Sequence, residues 1–109
     1  MNVFISADIE GVGGVVGSLH WDPKGMYYDR ACGWMTAEVN AAIQGALDAG
    51  AGRIVVKDAH NDGTNINLEM LHPAAELISG WGPFNSMVEG VGRDFDALFL
   101  IGYHARGGT

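Results

Sequence analysis

Three short stretches of the chain carry side chains able to grip a cation. They are Asp8-Ile9-Glu10, Asp58-Ala59-His60 and Tyr103-His104. Each follows an apolar run that reads as a strand. In an extended chain residues i and i+2 share a face, so Asp8 is expected to point with Glu10 and Asp58 with His60. Carboxylate and imidazole together form a borderline ligand set that suits zinc, with manganese or cobalt as alternatives. Two carboxylates and two histidines also suffice for a pair of ions ~4 Å apart, bridged by one carboxylate. A single D-x-E or D-x-H at a strand end is more often a cap or turn residue than a ligand. That plain alternative stays open for each stretch alone, and finding three in 109 residues weighs against it.

The elements that must position these groups follow from periodicity. Val3 to Ala7 is a short apolar strand, and G-V-G-G-V-V-G at residues 11 to 17 is a loop. From Tyr28 to Ala49 the residues Tyr28, Cys32, Met35, Val39, Ala42 and Ala46 recur at three- and four-residue spacing, which predicts an amphipathic helix stopped by Gly50. R-I-V-V-K-D-A-H, residues 53 to 60, is β-branched and predicts a buried strand. A short helix is expected around Leu68 to Leu71, ending at His72-Pro73, because the residue before proline resists helix. Leu77 to Ser79 reads as a short strand, Ser86 to Val91 as a helical turn or two, and residues 97 to 103 as a strand.

Strands alternating with helices imply an α/β fold: a mainly parallel sheet with flanking helices and right-handed crossovers. Open sheets of this kind place ligand sites beyond the carboxyl ends of their strands, where the three stretches lie. Continuous apolar runs fit strands covered on both faces. Only one long helix is available to cover them, so the fold is expected to be incomplete or to share its surface with a partner.

Length and composition bound the rest. The chain suits one α/β domain over residues 1–109. A net charge of −7 repels phosphate backbones, which argues against nucleic acid as a partner, and some of the carboxylates can face bound cations. The single cysteine, Cys32, provides no internal disulfide and fits a reducing compartment. No apolar run approaches the ~20 residues that span a bilayer, so no membrane partner is expected. Met1-Asn2 leads straight into V-F-I-S-A-D without the basic segment of a signal peptide, and the expectation is cytoplasmic.

Several motifs, in order and at similar spacing, carry a specific resemblance. S-A-D-I-E-G (6 to 11), V-K-D-A-H (56 to 60), L-H-P-A-A-E-L-I-S-G (71 to 80), S-M-V-E-G (86 to 90) and G-Y-H-A-R (102 to 106) are similar to segments of the DppA-type D-aminopeptidases. The resemblance implies a dinuclear zinc peptidase that releases N-terminal D-amino acids from short peptides. By motif match it puts the metal ligands on Asp8, Glu10, His60 and His104. It also implies ring-like homo-oligomers that enclose the active sites. In that family a further glutamate ligand and the catalytic histidine lie beyond the point matching Thr109, so no catalytic residue maps onto this chain.

On physical grounds Asp8, short and at a strand end, is the expected bridging carboxylate. Asp58 is expected either to orient a ligand or to stabilise the turn before N-D-G. The glycine loop lacks both G-x-G-x-x-G spacing and a P-loop lysine, and its glycines are expected to let the backbone turn beside the metals. Cys32 reads as core and His72 as structural, and His20 is placed in a loop beside Trp21. The role of Glu89 is open. Arg106 is a candidate for a substrate carboxylate, with a surface salt bridge as its plain alternative. Two other function classes compete with the aminopeptidase: a noncatalytic metal- or ligand-binding fragment, and a hydrolase of phosphoesters. The acidic balance and the absence of clustered Lys or Arg oppose the latter.

Overall fold

A computed structural model describes residues 1–81, 92 and 94–105. Its elements are β1 (Asn2–Ala7), α1 (Ser18–Trp21), α2 (Tyr28–Asp48), β2 (Arg53–Asp58), β3 (Ala75–Ile78) and β4 (Ala97–Ile101). The four strands form one parallel sheet in the order β3-β2-β1-β4, the α/β architecture that the alternation predicts.

Strand β1 lies in the middle because its residues are apolar or small on both faces. Val3, Ile5 and Ala7 look toward α2 with Ile54 and Val56 of β2, and all are buried. Ala31, Cys32, Met35, Val39, Ile43 and Ala46 of α2 close over them. Full burial of each branched side chain in this layer contributes about 1.5–3 kcal/mol relative to leaving it exposed. The expected helix stripe is nearly the observed one, except that Ile43 is fully buried and Ala42 only partly. Helix α2 ends in a Schellman arrangement: Ala51 N–H donates to Ala46 O at 2.9 Å and Gly50 N–H to Leu47 O at 2.9 Å.

The opposite face of the sheet is covered unevenly. Phe4 is buried with the ring of Phe95 edge-on at 5.3 Å. Lys57 is also buried, donating to Gly80 O at 2.6 Å and lying over the Trp81 ring. On β4, however, Leu98 and Leu100 are 44% and 54% exposed. Among the described residues the expectation of strands covered on both faces therefore holds for β1 and fails for β4, one of the sheet's two edge strands.

Three expectations need correction. Residues 68 to 71 form a single hydrogen-bonded turn, not a helix. Asn67 O accepts Met70 N–H and Leu71 N–H, Asn67 Oδ1 accepts Glu69 N–H, and Pro73 follows too soon for a second turn. The strand expected over 97 to 103 ends at Ile101, where Gly102 turns to φ +70°. His20 lies within α1 rather than in a loop, with its ring stacked on Tyr27 at 5.4 Å. The turn expected over Ser86 to Val91, with Glu89, and the candidate Arg106 lie outside the described residues. Among the described residues no helix is long and apolar enough to cross a membrane.

Candidate metal centre

Parallel pairing brings the carboxyl ends of β1, β2 and β4 to one edge of the sheet, and the ladder continues a residue past them. Asp8 N–H donates to Ile101 O at 2.8 Å and Ala59 N–H to Ala7 O at 2.8 Å. Gly11 N–H then donates to Gly102 O at 2.8 Å. This crossing is tight. A Cβ at Gly102 would sit 2.1 Å from Asp8 O, and one at Gly11 would sit 2.2 Å from Tyr103 O. Backbone without side chains therefore draws the Asp8 and His104 segments together. Tyr103, immediately before His104, is tied to β1 by a 2.5 Å hydrogen bond between its hydroxyl and Ser6 Oγ.

The four side chains expected to meet do so. His60 Nδ1 stands 3.0 Å from Asp8 Oδ1 and 2.7 Å from Glu10 Oε1. His104 Nε2 stands 3.6 Å from Asp8 Oδ2 and 3.3 Å from Glu10 Oε2. Each carboxylate thus turns one oxygen toward each imidazole, so the cluster has two lobes around a shared pair of carboxylates. Donor atoms of Asp8, Glu10 and His104 also lie within 4.8 Å of one another. The lobes differ in exposure: the His60 side chain is 8% exposed and that of His104 49%.

Asp58 does not join them. Alternation stops where the regular strand stops, so Asp58 and His60 part company. The buried Asp58 carboxylate accepts Asn65 N–H at 2.6 Å, Ile66 N–H at 2.7 Å and Asn65 Nδ2 at 3.0 Å, while Asn65 Nδ2 also reaches His60 O at 2.5 Å. Asp58 therefore braces the loop that carries His60, the loop- and turn-stabilising role among those expected of it. His72 is structural as expected, its Nδ1 accepting Ala74 N–H at 3.1 Å. Cys32 is buried in the core, and burial pushes its thiol up.

The electrostatics are those of crowded carboxylates with imidazoles between them. Burial alone would raise the Asp8 carboxyl, but hydrogen bonds from His60, Glu10 and the Ile9 amide hold it below the usual range. Glu10 is pushed up by burial and by the neighbouring Asp8. Burial would lower His60, yet Asp8, the Trp21 carbonyl and Glu10 outweigh it and raise its pKa. His104 is raised by the Ala105 carbonyl and by Glu10.

A cation fits this donor set on one direct observation. Glu10 Oε1 is removed from solvent but makes no hydrogen bond of good geometry among the described residues, even though His60 Nδ1 is close. One N–H cannot point at two carboxylates, and the Asp8 oxygen is the one placed to accept it. A buried carboxylate oxygen in that position calls for a positive partner. The residues open into a cavity of about 430 Å³, lined also by Trp21, Asp22, Pro23, Ala59 and Asn61. Sequence reasoning missed Asn65 and this W-D-P wall. The turn-rich N-D-G-T-N run was a usable signal for Asn65, whereas nothing in local spacing marks the wall.

Paired carboxylates and imidazoles at the carboxyl ends of parallel strands form a donor set suited to a cation, at the edge where open α/β sheets place their ligand sites. The chain belongs to the M55 peptidase family, described as D-aminopeptidase, whose model matches residues 1–109. A D-aminopeptidase of Bacillus subtilis (strain 168) is 38% identical over all 109 residues, which correspond to 40% of that protein. The solved structure of the Zn-dependent D-aminopeptidase DppA from Bacillus subtilis, a self-compartmentalizing protease, superposes with a TM-score of 0.96 at 38% identity, again over the whole of this chain and 40% of the other. The chain thus spans about 40% of the length of the relatives it matches.

Proposed function

We propose that this chain carries the metal-binding portion of a dinuclear zinc aminopeptidase that hydrolyses short peptides with N-terminal D-amino acids. Asp8, Glu10, His60 and His104 would hold the ions in this reading. The observation that carries it is the two-lobed cluster, in which Asp8 and Glu10 divide their oxygens between two imidazole nitrogens at 2.7–3.6 Å. Zinc bound there would act as a Lewis acid and lower the pKa of its water toward ~7. Manganese or cobalt would satisfy the same donors.

The chain's own residues do the remaining work. Asp8 and Glu10 bring two negative charges that offset those of the ions, and His60 and His104 bring neutral nitrogens once their protons are displaced. The cavity beside the cluster has room for a short peptide, with Trp21 and Pro23 offering apolar surface. Asp22 joins the acidic lining, which favours an α-ammonium and repels phosphate. The preference for D-amino acids rests on family membership. A homo-oligomer is proposed on the same footing, from the self-compartmentalizing relative. A second reading, favoured by the 40% coverage, is a chain that binds metal but needs further residues for turnover.

Elemental analysis paired with hydrolysis of D-Ala-D-Ala and L-Ala-L-Ala, with and without chelator, tests both readings. Two zinc ions per chain with chelator-sensitive release of D-alanine is the outcome expected of the first. Metal without turnover selects the second, and absence of metal removes both. His60→Ala and His104→Ala should each lower metal content while the circular dichroism spectrum is kept. Unchanged stoichiometry in both variants would strike them from the ligand set.

A further inference from the structure

The nitrogen by which His60 faces the carboxylates is fixed from an unexpected direction. Its other ring nitrogen, Nε2, stands 2.7 Å from the backbone carbonyl of Trp21. A carbonyl can only accept, so Nε2 must carry a proton and Nδ1 is the nitrogen left for the cluster. Trp21 is the last residue of α1, in a segment that closes on itself. Asp22 N–H donates to Ser18 O at 3.0 Å, Gly25 N–H to Asp22 O at 2.7 Å and Tyr27 N–H to Leu19 O at 2.9 Å. The returning strand of this segment passes so close to the outgoing one that a Cβ at Gly25 would lie 2.3 Å from Leu19 O, a backbone atom that cannot swing aside. The segment is held against α2 through the His20 ring, which lies 5.8 Å from that of Trp34 and also stacks on Tyr27 within the segment itself.

We propose that residues 17–27 act as a strap that positions His60 for metal binding, the Trp21 carbonyl holding Nε2–H so that Nδ1 is presented to the ion. The inference rests on the metal reading above and goes beyond it by assigning a backbone group and a whole segment to the centre. Partners of this kind fix ring orientation and raise ligand basicity, and losing one typically weakens metal binding about 10- to 100-fold. Trp21 is thus a positioning residue, acting through His60 and through its main chain. Substituting its side chain does not remove the interaction, and displacing the strap does.

The test uses Gly25→Ala, which forces Leu19 and the strap apart, beside Gly45→Ala on the exposed face of α2, where an added methyl meets nothing. Zinc affinity is measured by competition with a chromogenic chelator, together with ¹⁵N spectra of the histidine rings in the zinc-loaded wild type. Gly25→Ala should bind zinc about 10- to 100-fold more weakly with its circular dichroism retained, and Gly45→Ala should match the wild type. The wild-type spectrum should show His60 protonated at Nε2 and metal-bound at Nδ1. Equal affinity in Gly25→Ala, or zinc on Nε2, overturns the strap while leaving the metal reading standing. A wild type that binds no zinc overturns the metal reading, and the strap with it. Should Gly25→Ala fail to fold, the ring spectrum of the wild type decides alone.

Discussion

At the scale of single residues, the four-residue cluster depends on a side chain that stands outside it. Asp58 is fully buried and accepts three main-chain N–H groups, those of Asn65, Ile66 and, at 3.4 Å, His60, besides the Asn65 amide. Replacing it with alanine leaves those donors buried without an acceptor, at about 1–3 kcal/mol each. Asp58→Ala should therefore lose about 3 kcal/mol in a urea melt, and Asp58→Asn, which keeps one acceptor oxygen, should lose less. A loss below about 1 kcal/mol in the alanine variant would mean that the loop finds other acceptors. Asp8, Glu10, His60 and His104 were legible in the sequence because acid and imidazole at strand ends are rare enough to notice together. The Trp21 carbonyl was not, since a backbone oxygen carries no residue-type signal. Asn65 was hidden by its ordinary place in a polar turn.

Elements were legible where burial enforces a period. Helix α2 shows its inward stripe directly, and its end is marked by Gly50. The sequence predicts a helix after Asn67 because a few apolar residues before a proline look the same either way; the side-chain cap of Asn67 and the nearness of Pro73 leave room for one turn only. Strand β3 is held to β2 partly by Arg53, whose Nε donates to Glu76 Oε2 at 2.7 Å across the exposed face. That pairing depresses the Glu76 carboxyl. A depressed folded-state pKa contributes stability above the unfolded value and loses it as pH falls through the folded one. Glu76→Gln should thus lower Tm slightly at neutral pH, and the gap from wild type should close in acid. Because both partners are exposed, added salt should shrink it as well. A gap that widens as pH falls would contradict the pairing.

At the scale of the whole molecule, one sheet edge gathers the chemistry and one sheet face is left partly bare. The first was legible, since alternating strands and helices imply parallel pairing and parallel pairing aligns the carboxyl ends. The second was foreshadowed by the single long helix, although the sequence could not say which strand would go uncovered. It is β4, which pairs with β1 on one side and lies at the margin of the sheet on the other, with Leu98 and Leu100 exposed. Among the described residues such an edge is a template for strand addition, and the exposed leucines beside it favour association of this 109-residue chain at high concentration. Leu100→Lys would install a gatekeeper charge there, and should reduce light scattering in concentrated solution with no loss of bound metal.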